Sequence, residues 1–152
     1  MVRPGIVRVL AVAAVAILAA SCASPSGSTP SASGPAGSAN RPSSPASVTV
    51  VQPQSGASVV ATPCPSGTEK CVNIVLSLTG ATIVSTTSTD IRPDQGHVHL
   101  SVDNVLVSMN YGLEQDLPVH PGTYVLKAEF VASDHAPFNP RVVSPEVLFT
   151  VK

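Results

Sequence analysis

From residue 57 onward the chain is a series of short apolar, β-branched runs cut by turn formers, with no 3.6-residue period in any of them. The clearest is Gly-His-Val-His-Leu-Ser-Val-Asp at 96–103. Val98, Leu100 and Val102 alternate with His97, His99 and Ser101, so one face meets a core and the other carries the two histidines toward solvent. Asp103-Asn104 then reads as a two-residue hairpin turn into a strand at 105–109. The longest run, 123–132, points Tyr124, Leu126, Ala128 and Phe130 inward and Lys127 and Glu129 outward. Further runs lie at 57–62, 72–78 and 146–151, and 81–85 reads as a continuation of 72–78 past a bulge. Six or seven strands in about 95 residues predict an all-β domain, an immunoglobulin-like antiparallel β-sandwich of about seven strands, with a small barrel as the alternative.

The chain before residue 57 has a different character. Arg3 and Arg8 precede an unbroken apolar run at 9–20, twelve residues long. That suits the core of a signal peptide over 1–21 and falls short of the ~20 residues that span a bilayer. The run ends Leu18-Ala19-Ala20-Ser21-Cys22, which resembles the lipobox of bacterial lipoproteins, although Leu stands four residues before the Cys where that family has it three before. The resemblance implies that Cys22 becomes the N-terminus and carries acyl chains such as palmitate. The alternative is ordinary cleavage at small residues, leaving Cys22 free. Two or more acyl chains give stable anchoring. In 23–47, 22 of 25 residues are Ser, Pro, Gly or Ala, a composition that cannot offset its ordering entropy, so 22–56 is expected to be a disordered tether. Val48–Val51 is a possible short strand within it, cut off by Pro53 and Ser55-Gly56.

With a formal net charge of −1 and no Lys/Arg cluster, the chain has no electrostatic footprint for nucleic acid. Cys64 and Cys71 bracket Pro-Ser-Gly-Thr-Glu-Lys, a turn sequence, and in an exported chain such a pair reads as a structural disulfide.

With these pieces placed, the chain resembles an uncharacterised Ig-like domain of exported bacterial proteins, actinobacterial lipoproteins among them. Gly96, His97, His99, Leu100 and Asp103 match its first block, Pro121-Gly122 its turn, and Asp134, His135, Pro137, Asn139-Pro140, Val142 and Ser144 its third. Two positions depart: Tyr124 stands where the family often has His, and Asp134 directly precedes His135. The resemblance implies fold and export; the family has no assigned activity to carry over.

Pairing the histidine strand antiparallel with 123–132 brings His135 close to His97 and His99, and puts His120 at the opposite end. Asp90 and Asp94 lie in the loop leading into His97. Three imidazoles plus a carboxylate suit Cu or Zn; Met109 is a soft donor that the spacing does not bring to them. The other readings of the histidines are polar surface, hydrogen bonds that fix the 133–144 loop, and pH sensing. No Gly-x-Ser-x-Gly elbow, catalytic Cys or phosphate loop appears, so an enzyme is not expected. The chain reads as a lipid-anchored module on the outer face of the cell membrane, presenting an Ig-like domain for binding or structural interaction with an envelope protein. The alternative is a copper- or zinc-binding accessory protein of the envelope using His97, His99 and His135.

Overall fold

The computed structural model describes residues 40–152; the signal peptide expected over 1–21 and Cys22 lie outside the described residues. The described chain is an all-β sandwich. One sheet consists of β1 (Ser47–Gln52), β4 (Lys70–Thr79) and β3 (Thr62–Pro63) in that order, with β8 (Glu114–Pro118) also paired to β4. The other follows the order β2 (Ser58–Val59), β11 (Val147–Val151), β9 (Gly122–Ala132), β6 (Gln95–Val102) and β5 (Thr82–Ile83). β7 (Val105–Asn110) adds to β6 and β10 (Pro137–Val143) to β9.

Period-two burial builds the core. Val72, Ile74 and Leu76 of β4 meet Val98 and Leu100 of β6 and Leu126, Ala128 and Phe130 of β9 in one cluster. Tyr124 is half-buried against it, its ring stacked on Phe149 and its hydroxyl donating to the His120 carbonyl at 2.8 Å. Gly96 sits where β9 leaves no room for a side chain: a Cβ there would lie 1.9 Å from the Val131 carbonyl oxygen. The turn at Asp103-Asn104 has φ of 50° and 66°, the positive pair that a two-residue hairpin needs. Cys64 and Cys71 form the expected disulfide, across the turn from β3 into β4.

Four expectations change. The segment at 48–51 is a core strand rather than an isolated piece of tether, so the folded part begins before residue 57. β1 pairs with β4 over five residue positions and buries Val48, because its β-branched run covers one side of β4. The Ser/Pro-rich surroundings mask that run when composition is averaged. The segment at 81–85 does not extend β4: Thr82 and Ile83 cross to the other sheet and pair parallel with Gln95 and Gly96. β10 occupies a stretch that its two prolines mark as loop; it lies along the edge of β9, where missing N–H groups are tolerated. Finally, β8 was not foreseen, since Glu-Gln-Asp-Leu-Pro has only Gln115 and Leu117 facing inward.

Candidate metal centre

His97 and His99 stand two residues apart on β6 and so share a face, and the β9–β10 hairpin brings His135 to them. That hairpin is built to present a side chain. Ala132 N–H donates to the Ala136 carbonyl at 3.0 Å and His135 N–H to the Ala132 carbonyl at 2.9 Å, leaving a three-residue loop of Ser133, Asp134 and His135. Loops of this length end on a left-handed residue, most often Gly. His135 holds that place with φ 66°, a conformation that His tolerates better than most side chains.

The hairpin is clamped from an unexpected quarter. Arg41 places both guanidinium Nη atoms on the Asp134 carboxylate, at 2.6 and 2.7 Å, and donates to the Pro137 and Ala136 carbonyls, each at 3.0 Å. Asp134 Oδ1 also accepts from Ala136 N–H at 3.2 Å. The guanidinium holds the Asp134 carboxyl below its ordinary range. A second strap comes from the loop before β6: Ser88 N–H donates to the Ser133 carbonyl at 3.2 Å.

Three imidazole nitrogens converge. His97 Nε2 lies 2.8 Å from His135 Nδ1 and 3.2 Å from His99 Nε2, and the ligand atoms of the three residues all fall within 4.8 Å of one another. Tetrahedral coordination with M–N bonds of ~2.0–2.1 Å sets N···N near ~3.3 Å; the His97–His99 spacing of 3.2 Å matches that, and the His97–His135 spacing of 2.8 Å is shorter. His135 Nε2 faces Thr87 Oγ1 at 3.3 Å; an N–H donated there leaves Nδ1 with a bare lone pair aimed at His97.

Protonation favours the same role. His97 is only 1% exposed, and burial, then the neighbouring His135 and His99, push its pKa down to about 4. Burial and His135 lower His99 too, with Glu129 opposing. Near neutrality these two rings are uncharged, which is the ligand form. His97 Nε2 has either one lone pair or one proton and faces two other ring nitrogens, an arrangement that could hold a metal ion.

The pattern placed His97 on the solvent side of β6, and it is instead buried: His135 and Tyr111 cover it edge-on, at ring-centroid distances of 4.2 and 5.2 Å. The expected carboxylate is absent from the group; Asp90 is exposed and pairs with Arg92 at 3.6 Å, and among the described residues the cluster holds the three histidines alone. His120 sits at the other end of β9, as expected, bonded through its backbone to the Tyr124 hydroxyl.

No family model, curated protein or solved structure matches the chain. The geometry therefore carries the functional argument.

Two neighbours of the site were not read from the sequence, and a third, Met109, was set apart from the histidines by its spacing. Arg41 had one signal, being the only charged residue between Cys22 and Glu69. Tyr111 had none. Met109 lies opposite His99 on β7, because an extra residue between the Leu100 and Ser101 pairings shifts the register. In the even ladder that a two-residue turn starts, Ser108 would stand there.

Proposed function

We propose that this domain binds a late first-row transition ion, copper or zinc, through His97 Nε2, His99 Nε2 and His135 Nδ1, and that it does so as an anchored module of the cell envelope. The observation that carries the metal reading is the convergence of three imidazole nitrogens, two of them on rings held neutral by burial. Neutral imidazole is a preferred ligand for both ions. The clamp from Arg41 through Asp134 is the kind of outer support that ligand-bearing loops need. Polar surface, a bland role for such histidines, fits poorly with a ring as deeply buried as His97.

Export and lipidation rest on the apolar run at 9–20 and on Cys22 that follows it. An immunoglobulin-like arrangement is supported by β1, β4 and β8 in one sheet and β2, β11, β9, β6 and β7 in the other. The bond from the Tyr124 hydroxyl back to the His120 carbonyl is of the tyrosine-corner kind. An anchored domain with an ion site suits metal handling outside the membrane.

Calorimetric titration of the full chain with Zn(II) and with Cu(II) tests the reading. One ion per chain, with binding lost in His135→Gly while the fold is kept, is the expected result. No heat with either ion overturns it.

A further inference from the structure

Among the described residues no carboxylate, thiolate or further imidazole joins the histidine triad, and the strands flanking β6 decide which other donors border it. Residues directly opposite one another in an antiparallel pair share a face. On β9 the residues opposite His97 and His99 are Val131 and Glu129; on β7 the residue opposite His99 is Met109, and Tyr111 packs on His97. These four border the triad.

Their chemistry is unequal. Val131 offers no donor. Both Glu129 oxygens are engaged by Arg141, Oε1 by Nε at 2.7 Å and Oε2 by Nη2, so the hard carboxylate next to His99 is already held. Met109 is 55% exposed, on an edge strand, with its thioether not committed to the core. Its place opposite His99 depends on the irregularity in β7, and bulges beside functional sites serve to re-aim a side chain.

We infer that the ion this site takes is Cu(I), and that the Met109 thioether completes a three-nitrogen, one-sulfur shell from the exposed side. The inference rests on the metal reading above and narrows it. Thioether sulfur is a soft ligand that selects Cu(I), whereas Zn(II) is content with the imidazoles and a water. The division of labour suits a carrier: three ligands are fixed on strands and a clamped hairpin, while the fourth sits on a flexible side chain at the mouth, the one donor that can leave first when the ion is passed on.

The test is anaerobic competition for Cu(I) against a chromophoric chelator, with Zn(II) binding measured in parallel, on the full chain and on Met109→Leu. The variant keeps the volume and apolar character of the side chain and removes the sulfur. The expected result is at least a tenfold loss of Cu(I) affinity in Met109→Leu, unchanged Zn(II) affinity, and a Cu–S shell in X-ray absorption that disappears in the variant. Equal Cu(I) affinity in both chains, with no sulfur scattering, overturns the Met109 assignment. Zn(II) binding without Cu(I) binding does the same yet leaves the metal site standing; absence of both removes the site itself.

Discussion

Arg41 and Asp134, 93 residues apart in sequence, form a two-pronged ion pair at 2.6 and 2.7 Å. It joins the segment before β1 to the hairpin that carries His135. Both side chains are largely shielded, at 15% and 28% exposure, so the pair is worth more than a surface ion pair.

Arg41→Ala should therefore act twice. It removes one partner of a shielded pair and two further hydrogen bonds, which costs about 2–3 kcal/mol. It also frees the His135 hairpin, for which about a 10-fold or greater loss of metal affinity is expected. Arg41→Lys should rescue little of either, since an ammonium cannot grip both carboxylate oxygens in the same plane. Chemical denaturation and metal titration of the two variants check this; unchanged metal affinity in Arg41→Ala would remove the clamp from the account of the site.

How much of this was legible beforehand differs by residue. Alternation in 96–103 and 123–132 was enough for β6 and β9; their pairing, and hence the meeting of His97, His99 and His135, followed from the immunoglobulin-like strand order expected of them. Burial of His97 was not, because its cover comes from Tyr111 and from the far hairpin, and neither is a local property of β6. Met109 was hidden by a single inserted residue, which no alternation rule anticipates. Arg41 was hidden by its neighbours, whose composition reads as tether.

At residue 135 the backbone and the side chain have opposite interests. His135→Gly removes the ligand and its contacts to His97 and Thr87 but suits φ 66°, so relief of strain should offset part of what the metal-free fold loses. His135→Ala removes the ligand and keeps the strain, so it should fall below the Gly variant by about 1 kcal/mol. Thermal melts of the two variants, with and without ion, separate the effects. Neither should show a shift on adding metal.

The metal-free protein should lose stability as the medium becomes acidic. His97 takes up a proton at about 4 in the fold and near 6.5 when unfolded, so the unfolded chain binds the proton first. The His97 contribution is then full above pH ~6.5, declines down to about pH 4 and is gone below, a loss of roughly 3 kcal/mol. His99, shifted in the same direction, steepens the slope. The Arg41 guanidinium holds the Asp134 carboxyl below the ordinary carboxylate range, so its contribution is lost only further down, as the pH falls through that lowered value. Urea midpoints at pH 7.5, 6 and 4.5 should fall in that order; a rise toward acid would contradict the burial of a neutral His97.

Breaking the Cys64–Cys71 bond should separate stability from binding. The bridge closes a short loop at a sequence separation of 7, worth roughly 2–2.5 kcal/mol on the chain-entropy argument. It fastens β3 to β4, with Cys71 opposite Pro118, in the sheet that does not carry the histidines. The double Cys→Ser variant should melt earlier and still bind one ion with unchanged affinity at 25 °C.

The left-handed backbone at His135 also has a bearing on how this domain diverges. A ligand on an ordinary strand position, such as His99, can drift to many polar residues once selection for the ion is lifted. Position 135 has a narrower exit, because most replacements keep the strain and surrender the ligand. Lineages that have abandoned the ion should therefore converge there on Gly or Asn. Those two letters, set after an Asp that still has its arginine, would mark a domain that has kept its hairpin and forgotten its metal.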